Sequence, residues 1–257
     1  MEVAERKIHG HGPIVTCFSG MSTCGAVALS VTMAAVKPPD RAARQTFQRR
    51  LLSWYARHGR DLPWRRTREP YRVLVSEIML QQTQVDRVIP KYHEFLTRYP
   101  TMEALARAGA REVTNAWRPL GYYRRARSLH GIARESVARY DGRLPADGAS
   151  LLRMTGIGRY TAGAILAFAH SQDAALVDTN VRRVLGRVFL GPRRLGRLKG
   201  QKAMWTLAES LVPSGRAYDY NQALMDFGAT WCTARRPRCP RCPMKGFCRS
   251  VDNGRSA

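Results

Sequence analysis

Four cysteines near the carboxyl end are spaced like the ligands of one metal centre. Cys232, Cys239, Cys242 and Cys248 form the pattern C-x6-C-x2-C-x5-C within 17 residues. Thiolates suit both zinc and iron–sulfur clusters, and the spacing alone does not choose between them. A disulfide framework is not expected, because a single cysteine cluster in a chain this long is typical of a metal site in a reducing compartment. The sequence therefore predicts a metal-bound loop and a cytoplasmic protein.

The charge of the chain points to a polyanionic partner. Lys and Arg number 43 against 19 Asp and Glu, which gives a net charge of +24. Such an excess attracts nucleic acid, whereas no Lys/Arg-rich amphipathic helix indicates a membrane surface. Six basic residues lie within or beside the cysteine loop, where an ordered metal site would present them to phosphates: Arg235, Arg236, Arg238, Arg241, Lys245 and Arg249.

Two carboxylates stand in surroundings that could give them a chemical role. Glu77 lies in the apolar run Val75–Leu80, and an acid among apolar residues often has a raised pKa and can donate a proton near neutral pH. Asp178 follows the apolar stretch 174–177 and precedes a helical pattern. Taken alone, Asp178 is better explained as a helix N-cap, and the alternative for Glu77 is an ordinary exposed helix residue.

A glycine pair forms a third candidate feature. Gly156 and Gly158 interrupt two helical segments and precede a helix that starts near Arg159. Glycines allow a tight turn and close approach to another molecule, and amides at a helix start attract anions. The pair alone is a weak signal, because many loops contain two glycines.

The elements that must position these residues are predicted to be helical. Phe47, Leu51 and Tyr55 recur at a spacing of four, as do Leu129, Ala133 and Val137, and no alternating strand pattern persists. Thr101 can cap a short helix. The remaining helices are predicted over 73–88 with a bend at Pro90, and over 122–140, 160–170, 179–190, 199–211 and 218–230.

Residues 1–40 have a different character from the rest. Their apolar run, Ala26–Val36, is too short to span a bilayer. We expect a disordered extension, or a start assigned too early with Met21 or Met33 as alternatives, and no membrane association.

Several of these segments together resemble the helix–hairpin–helix DNA glycosylases of the endonuclease III and MutY families. The segment Leu151–Ala162 is similar to their hairpin, and the cysteine spacing is similar to the loop that holds [4Fe–4S] in those enzymes. Val75–Gln84, Leu120–Arg127 and Tyr220–Asp226 resemble MutY. The resemblance covers about three-quarters of the chain and implies a [4Fe–4S] cofactor and a double-stranded DNA partner with a mismatched or damaged base.

The resemblance also assigns roles to individual residues. It implies that Glu77 protonates the base and that Asp178 stabilises the sugar cation, while Tyr160 and Asn180 orient the site. Bifunctional endonuclease III enzymes carry a lysine where this chain has Tyr160, so strand cleavage is expected to be weak or absent. The implied contacts to DNA and the target base are Trp64, Arg65, Gln82, Thr83, Tyr122, Gly156, Gly158 and Gln222.

The implied fold is all-α with two helical lobes. Residues 62–176 would form a six-helix barrel with the hairpin, and residues 41–61 and 177–250 an iron–sulfur lobe, followed by a tail over 251–257. The catalytic cleft would lie between the lobes of a monomer.

The expected activity is excision of adenine mispaired with guanine or 8-oxoguanine. An amide such as Gln222 can pair with an adenine edge. The sequence ends at Ala257, without the further domain that typical MutY enzymes use for oxidised guanine, so the opposite base stays open. Two alternatives are a mismatch thymine or uracil glycosylase on the same scaffold, and a non-catalytic metal-containing DNA-binding protein.

Overall fold

Residues 38–197 and 201–252 are described by a computed structural model, apart from the side chains of residues 197 and 252. These ranges contain helices and no strand, which confirms the predicted all-α class. The helices are α1 Arg41–His58, α2 Pro70–Leu80, α3 Val85–Arg98, α4 Met102–Arg107, α5 Ala110–Ala116, α6 Arg124–Tyr140, α7 Gly148–Arg153, α8 Arg159–Phe168, α9 Thr179–Leu185, α10 Gly191–Arg197, α11 Lys202–Ser210, α12 Ala217–Thr230 and α13 Arg249–Asp252.

Side-chain caps fix several helix starts where the sequence indicates them. The carboxylate of Asp40 accepts the amide of Ala43 at 2.8 Å and begins α1. The hydroxyl of Thr101 accepts the amide of Ala104 at 3.2 Å and begins α4, as predicted. Each cap satisfies a backbone donor that the first helical turn leaves unpaired.

The single helix predicted over 73–88 is wrong. The chain leaves helical geometry after Leu80 and re-enters it at Val85, so α2 and α3 are separate helices. Gln82 adopts a left-handed backbone with φ 56°, which a continuous helix does not allow. Pro90 is the sixth residue of α3, where it lacks the amide hydrogen that would bond to the carbonyl of Asp86.

Helix α6 also differs from its prediction. It begins at Arg124, because Tyr122 has a left-handed φ of 46°. Leu129 and Ala133 are buried as expected, but Val137 is 42% exposed. The buried face of α6 therefore continues through Ser136, which is fully buried, and not through Val137.

Two apolar cores and a smaller third cluster hold the helices together. The first core includes Leu74, Phe95, Trp117, Leu129 and Ile165 from the central part of the chain. The second joins α1 to the later helices, with Phe47, Leu51, Leu185, Phe227 and Met244. Each fully buried side chain of this size stabilises the fold by roughly 1.5–3 kcal/mol. The residue bounds given to the two lobes stay a prediction.

The third cluster lies where α2, α8 and the start of α12 meet. Val73, Phe168, Leu176 and Ala217 are buried there. It packs the helix that carries Glu77 against the helix that carries Tyr160. These two helices therefore keep a fixed relation to each other.

Part of the sequence predictions falls outside the described residues. Of the extension proposed over 1–40, residues 1–37 lie outside the described ranges. The start of the helix predicted from Lys199 and most of the tail over 251–257 also lie outside them. In the part that is described, no helix combines the length and apolar character needed to cross a membrane.

Candidate active site

One cleft of about 730 Å³ collects most of the predicted catalytic and base-binding residues. Its walls come from the 3-10 turn Pro63–Arg65, the end of α2 with the following loop, and the starts of α8 and α9. Helix α12 closes the remaining side. The predicted residues that line it are Trp64, Arg65, Glu77, Gln82, Thr83, Tyr160, Asp178, Asn180 and Gln222.

Glu77 is the buried acid of this cleft. It is 5% exposed on α2, where the apolar side chains of Val75, Ile78 and Met79 are buried beside it. Burial raises the pKa of Glu77 to about 7, because the charged form loses its hydration. The hydroxyl of Tyr160 and the charge of Arg65 act to lower this pKa, and the charge of Asp178 acts to raise it. Glu77 can therefore carry a proton at neutral pH.

Asp178 is both a helix cap and a wall of the cleft. Its Oδ1 accepts the amide of Val181 at 2.6 Å, and its Oδ2 accepts the side-chain amide of Asn180 at 3.0 Å. Burial raises the pKa of Asp178, and these two hydrogen bonds act in the opposite direction by favouring the carboxylate. The N-cap interpretation and the catalytic interpretation are thus compatible in one side chain.

Tyr160 lies between the two acids. Its hydroxyl donates to the Sδ of Met225 at 3.4 Å, and burial together with Glu77 and Asp178 raises its pKa well above the usual value. The phenol stays neutral and can donate a hydrogen bond. It can therefore orient a neighbouring carboxylate.

Trp64 and Gln222 supply an apolar wall and a polar contact for a planar ligand. Trp64 is 6% exposed and packs edge-on against Tyr92, with ring centroids 5.6 Å apart. Gln222 is 4% exposed, yet its side-chain amide makes no hydrogen bond to any residue that the structure describes. A buried amide facing a cleft without a protein partner is suited to bind the polar edge of a base.

Gln82 separates this cleft from a second one of about 610 Å³. The second cleft contains Tyr122, which is 62% exposed, and Gly156 of the hairpin. Exposed aromatic side chains next to arginines are suited to stacking on bases. The structure therefore places Gln82, Tyr122 and Gly156 on one face, beside the main cleft.

The hairpin joins α7 to α8 through a turn that needs glycine at one position. Gly156 has φ 99°, and a Cβ there would come within 2.2 Å of the Oγ of Ser128. Gly158 precedes α8 with an ordinary φ, and a Cβ there would meet open space. Gly156 is thus required by the turn itself, whereas Gly158 leaves room for an approaching molecule.

The four predicted metal ligands lie in the loop after α12. Cys248 is buried and the other three are half-buried, and none forms a disulfide within the described ranges. Burial, with smaller contributions from the other three thiols, raises the pKa of Cys242 to about 11, so the four groups lie near one another. The guanidinium of Arg187 lies 3.6 Å from the Sγ of Cys232 and can offset thiolate charge.

This donor set fits a cluster of iron and sulfide. Cys232, Cys239, Cys242 and Cys248 would hold it, and binding would convert their thiols to thiolates. Within the described ranges, no three His, Cys, Asp or Glu side chains, the four cysteines included, form a group placed to hold a single metal ion. Because a cluster is larger than one ion, its ligands stand farther apart, and the fit rests on the number and type of the four thiols and on the facing guanidinium. The basic side chains of the loop are all exposed.

Comparison with known proteins decides the family. Residues 75–210 match the family described as HhH-GPD superfamily base excision DNA repair protein, and residues 232–248 match the iron–sulfur binding domain of endonuclease III. The chain belongs to the HhH-GPD superfamily. This confirms the helix–hairpin–helix resemblance and the iron–sulfur cofactor that the resemblance implies.

The relatives of this HhH-GPD chain include adenine glycosylases and a thymine/uracil glycosylase. The human adenine DNA glycosylase is 44% identical over 221 residues, which cover 82% of this chain and 40% of that protein. The thymine/uracil-DNA glycosylase of Methanothermobacter thermautotrophicus is 36% identical, covering 80% and 93%. A solved thermostable thymine-DNA glycosylase superimposes with a TM-score of 0.78 at 35% identity, covering 82% and 98%. The chain spans about two fifths of the length of its human and rodent adenine-glycosylase relatives.

Arg183 connects the cysteine loop of this HhH-GPD chain to Asp178 in the cleft. Its Nη2 donates to the Oδ1 of Asn180 at 2.6 Å, and its Nε donates to the carbonyl of Cys232 at 2.8 Å. Asn180 in turn donates to Asp178. Three hydrogen bonds thus link the backbone carbonyl of Cys232 to the carboxylate of Asp178.

Arg183→Gln is expected to lower the single-turnover excision rate about tenfold, the scale typical of lost supporting hydrogen bonds. Asn180 would lose its partner and Asp178 its fixed orientation. The measurement is excision with enzyme in excess, together with iron and sulfide content. Arg182→Gln, the same change one residue earlier, serves as control. A rate equal to that of the control would show that the connection has no role in catalysis.

Arg125 holds the two loops that flank the second cleft. It is 9% exposed, donates to the carbonyls of Met79 and Gln81, and donates to the Oγ1 of Thr83 at 2.9 Å. Weaker contacts reach the carbonyls of Leu120 and Gly121 at 3.4 Å. One guanidinium therefore supports the left-handed backbone at both Gln82 and Tyr122.

Arg125→Gln is expected to lower excision at least about tenfold, because misplacing substrate-contacting loops by about 1 Å is costly. Arg134→Gln, at an exposed arginine of the same helix outside the second cleft, removes the same charge and serves as control. Single-turnover rates and unfolding temperatures of both variants are compared. Equal rates in two equally stable variants would contradict a loop-positioning role.

The sequence did not single out several residues that the structure brings to the site. Asp226 forms ion pairs with Arg65 and Arg60 behind the cleft wall, and Met225 lines the cleft. Arg125 and Arg183 support neighbouring loops. A signal existed for Asp226, because it follows Gln222 by four residues and must share its helix face. The arginines carried no comparable signal among the many arginines of the chain.

Proposed function

We propose that this HhH-GPD protein is a monofunctional DNA glycosylase that hydrolyses the N-glycosidic bond of adenine mispaired with guanine or 8-oxoguanine. The observation that carries the proposal is one cleft lined by Glu77, Asp178 and the unpartnered amide of Gln222. Adenine DNA glycosylases with 38–46% identity support the choice of base.

The chemistry follows from the two acids. The target nucleotide leaves the duplex and its base enters the cleft beside Trp64 and Gln222. Glu77, protonated near neutral pH, transfers its proton to the adenine ring, which makes the base a better leaving group. As the C1′–N9 bond breaks, its electron pair goes to the base, and positive charge develops on the sugar.

The carboxylate of Asp178 stabilises that sugar cation electrostatically. Water then adds at C1′ and loses a proton, which leaves an abasic site and free adenine. Tyr160 cannot form the imine that a lysine would form, so the strand stays intact. Cys232, Cys239, Cys242 and Cys248 would hold the cluster, which when bound cross-links the basic loop.

A thymine or uracil glycosylase is the second candidate, favoured by the relative from Methanothermobacter thermautotrophicus over 93% of its length. The purified holoprotein is offered duplexes with A:G, A:8-oxoG, T:G and U:G, and products are scored with and without alkali. Adenine loss, visible only after alkali, is expected in the first two. Excision from T:G or U:G alone would overturn the adenine assignment, and binding without any excision would favour a non-catalytic DNA-binding protein.

A further inference from the structure

Asp226 is a fully buried carboxylate behind the wall of the main cleft, which its partners Arg60 and Arg65 line. It lies one turn after Gln222 on α12, and its side chain is 0% exposed. Its Oδ1 accepts the Nε of Arg60 at 2.7 Å and the Nη2 of Arg65 at 2.9 Å. Its Oδ2 accepts the Arg60 backbone amide at 2.9 Å and the Nη1 of Arg65 at 2.8 Å. Each carboxylate oxygen therefore accepts two hydrogen bonds from the two arginines.

The two guanidiniums held by Asp226 face the cleft. Arg60 and Arg65 both line it, and the Arg65 side chain is only 8% exposed. Arg65 also donates from Nη1 to the carbonyl of Arg60 at 2.9 Å, while the hydroxyl of Tyr218 donates to the Arg65 carbonyl. These bonds fix the turn that carries Trp64.

Stability alone does not explain this arrangement. Burying the charges of Asp226 and Arg65 carries a large desolvation cost, and apolar side chains of similar volume often stabilise a fold as well or better. The hydrogen bonds from Arg65 and Arg60 outweigh the effect of burial, so the pKa of Asp226 is lowered and the group stays ionised. The cleft wall thus retains one negative and two positive charges beside the catalytic acid.

We propose that Asp226 is a positioning residue for base excision: it fixes Arg60 and Arg65 in the cleft wall and offsets the charge that Arg65 exerts on Glu77. The role in excision rests on the function proposed above, whereas the electrostatic part concerns the free protein.

The charged and titratable groups that act on Glu77 come from three elements. They are Tyr160 on α8, Asp178 at the start of α9, and Arg65 in the turn before α2. Among these, Arg65 is the cation, and it lowers the pKa of Glu77. Removing the charge of Asp226 would leave Arg65 uncompensated and stabilise the Glu77 carboxylate, so Glu77 would lose its proton at lower pH.

The electrostatic part is tested by titrating Glu77 in DNA-free holoprotein. Protein labelled with ¹³C at the glutamate carboxyl is followed by NMR, and the Glu77 signal is assigned with Glu77→Gln. Asp226→Asn is expected to lower the titration midpoint of Glu77 by about one unit, and Asp226→Glu to restore it. Arg65→Gln is expected to move it in the opposite direction. Asp219→Asn, an exposed acid on the same helix paired with Arg216, is expected to cause no shift.

The excision part is tested by single-turnover rates across pH on the duplex that wild type cleaves. The rate of Asp226→Asn is expected to fall on the alkaline side at a pH about one unit lower than that of wild type. Above the wild-type midpoint, the rate of Asp226→Asn is therefore about tenfold below that of wild type. A slower Asp226→Asn with an unmoved midpoint would reduce Asp226 to a structural role and overturn the proposal.

The variants separate the possible failures. If Asp226→Asn does not fold with its cluster, Arg65→Gln tests the electrostatic part instead. An unchanged or lowered titration midpoint of Glu77 in Arg65→Gln would overturn the proposal. If the NMR midpoints move as expected while wild type excises no base from any duplex, the proposed function fails and the electrostatic role of Asp226 stands.

Discussion

Glu77→Gln is expected to lower adenine excision by about 10²–10⁴-fold while duplex binding survives. Glutamine has nearly the same volume as glutamate and fills the same buried position, but its amide cannot transfer a proton to the leaving base. Single-turnover excision and a gel-shift titration with the same A:G duplex measure the two properties separately. Glu94→Gln, an exposed acid on α3 paired with Lys91, is the matched control and should excise normally. If Glu77→Gln excises adenine at the rate of the control, Glu77 is not the acid that protonates the base.

The same residue sets the pH dependence of wild type. Glu77 must be protonated to act, so the rate is expected to fall as pH rises through about 7. Asp178 must be ionised, so the rate is expected to fall on the acid side as pH approaches its raised pKa. A rate that keeps rising well above pH 7 would contradict the role of Glu77.

The raised pKa of Glu77 also has a consequence for stability. The folded chain binds this proton more tightly than the unfolded chain, so unfolding becomes easier as pH rises from 4.5 to about 7. Above that range the penalty is fully present, at about 3 kcal/mol for a shift of this size. The gain in Tm of Glu77→Gln over wild type is therefore expected to be larger at pH 8 than at pH 5.

Local sequence signals predicted much of the helical fold. The apolar spacing of Phe47 and Leu51 and the cap at Thr101 act within a few residues, and the structure follows them. The break between α2 and α3 was missed because its support comes from Arg125, which is 44 residues away from Gln81 in sequence. The predicted burial of Val137 was wrong for a related reason. Apolar periodicity along one helix does not reveal which of its residues the neighbouring elements cover.

The candidate site also contains residues that the sequence predicted and residues that it did not. Motifs placed Glu77, Asp178 and Gln222 in one hypothesis, and the structure brings all three to one cleft. The groups that tune them come from distant parts of the chain: Asp226 reaches Arg65 across 161 residues, and Arg183 reaches the Cys232 carbonyl across 49. Such partners are defined by tertiary packing, so a single sequence offers no spacing from which to derive them.

Asp178→Asn is expected to lower excision by about 10²–10³-fold with only a modest loss of stability. Asparagine is as good an N-cap as aspartate, so its carbonyl oxygen can keep the bond from Val181 and α9 should persist. The charge that stabilises the sugar cation is lost. The new amide also faces the donor of Asn180 and cannot accept from it.

A second helix cap provides the matched control for this variant. Asp147 begins α7 by accepting the amide of Ser150 at 2.8 Å, and it is exposed and away from the cleft. Asp147→Asn makes the same chemical change in the same kind of cap, so any effect of capping on the unfolding temperature should appear in both variants. Loss of excision should appear only in Asp178→Asn, and the double variant with Glu77→Gln should lose less than the product of the two single losses. If the two cap variants excise equally well, Asp178 is a helix cap alone, and the sugar cation must be stabilised by another group in the cleft.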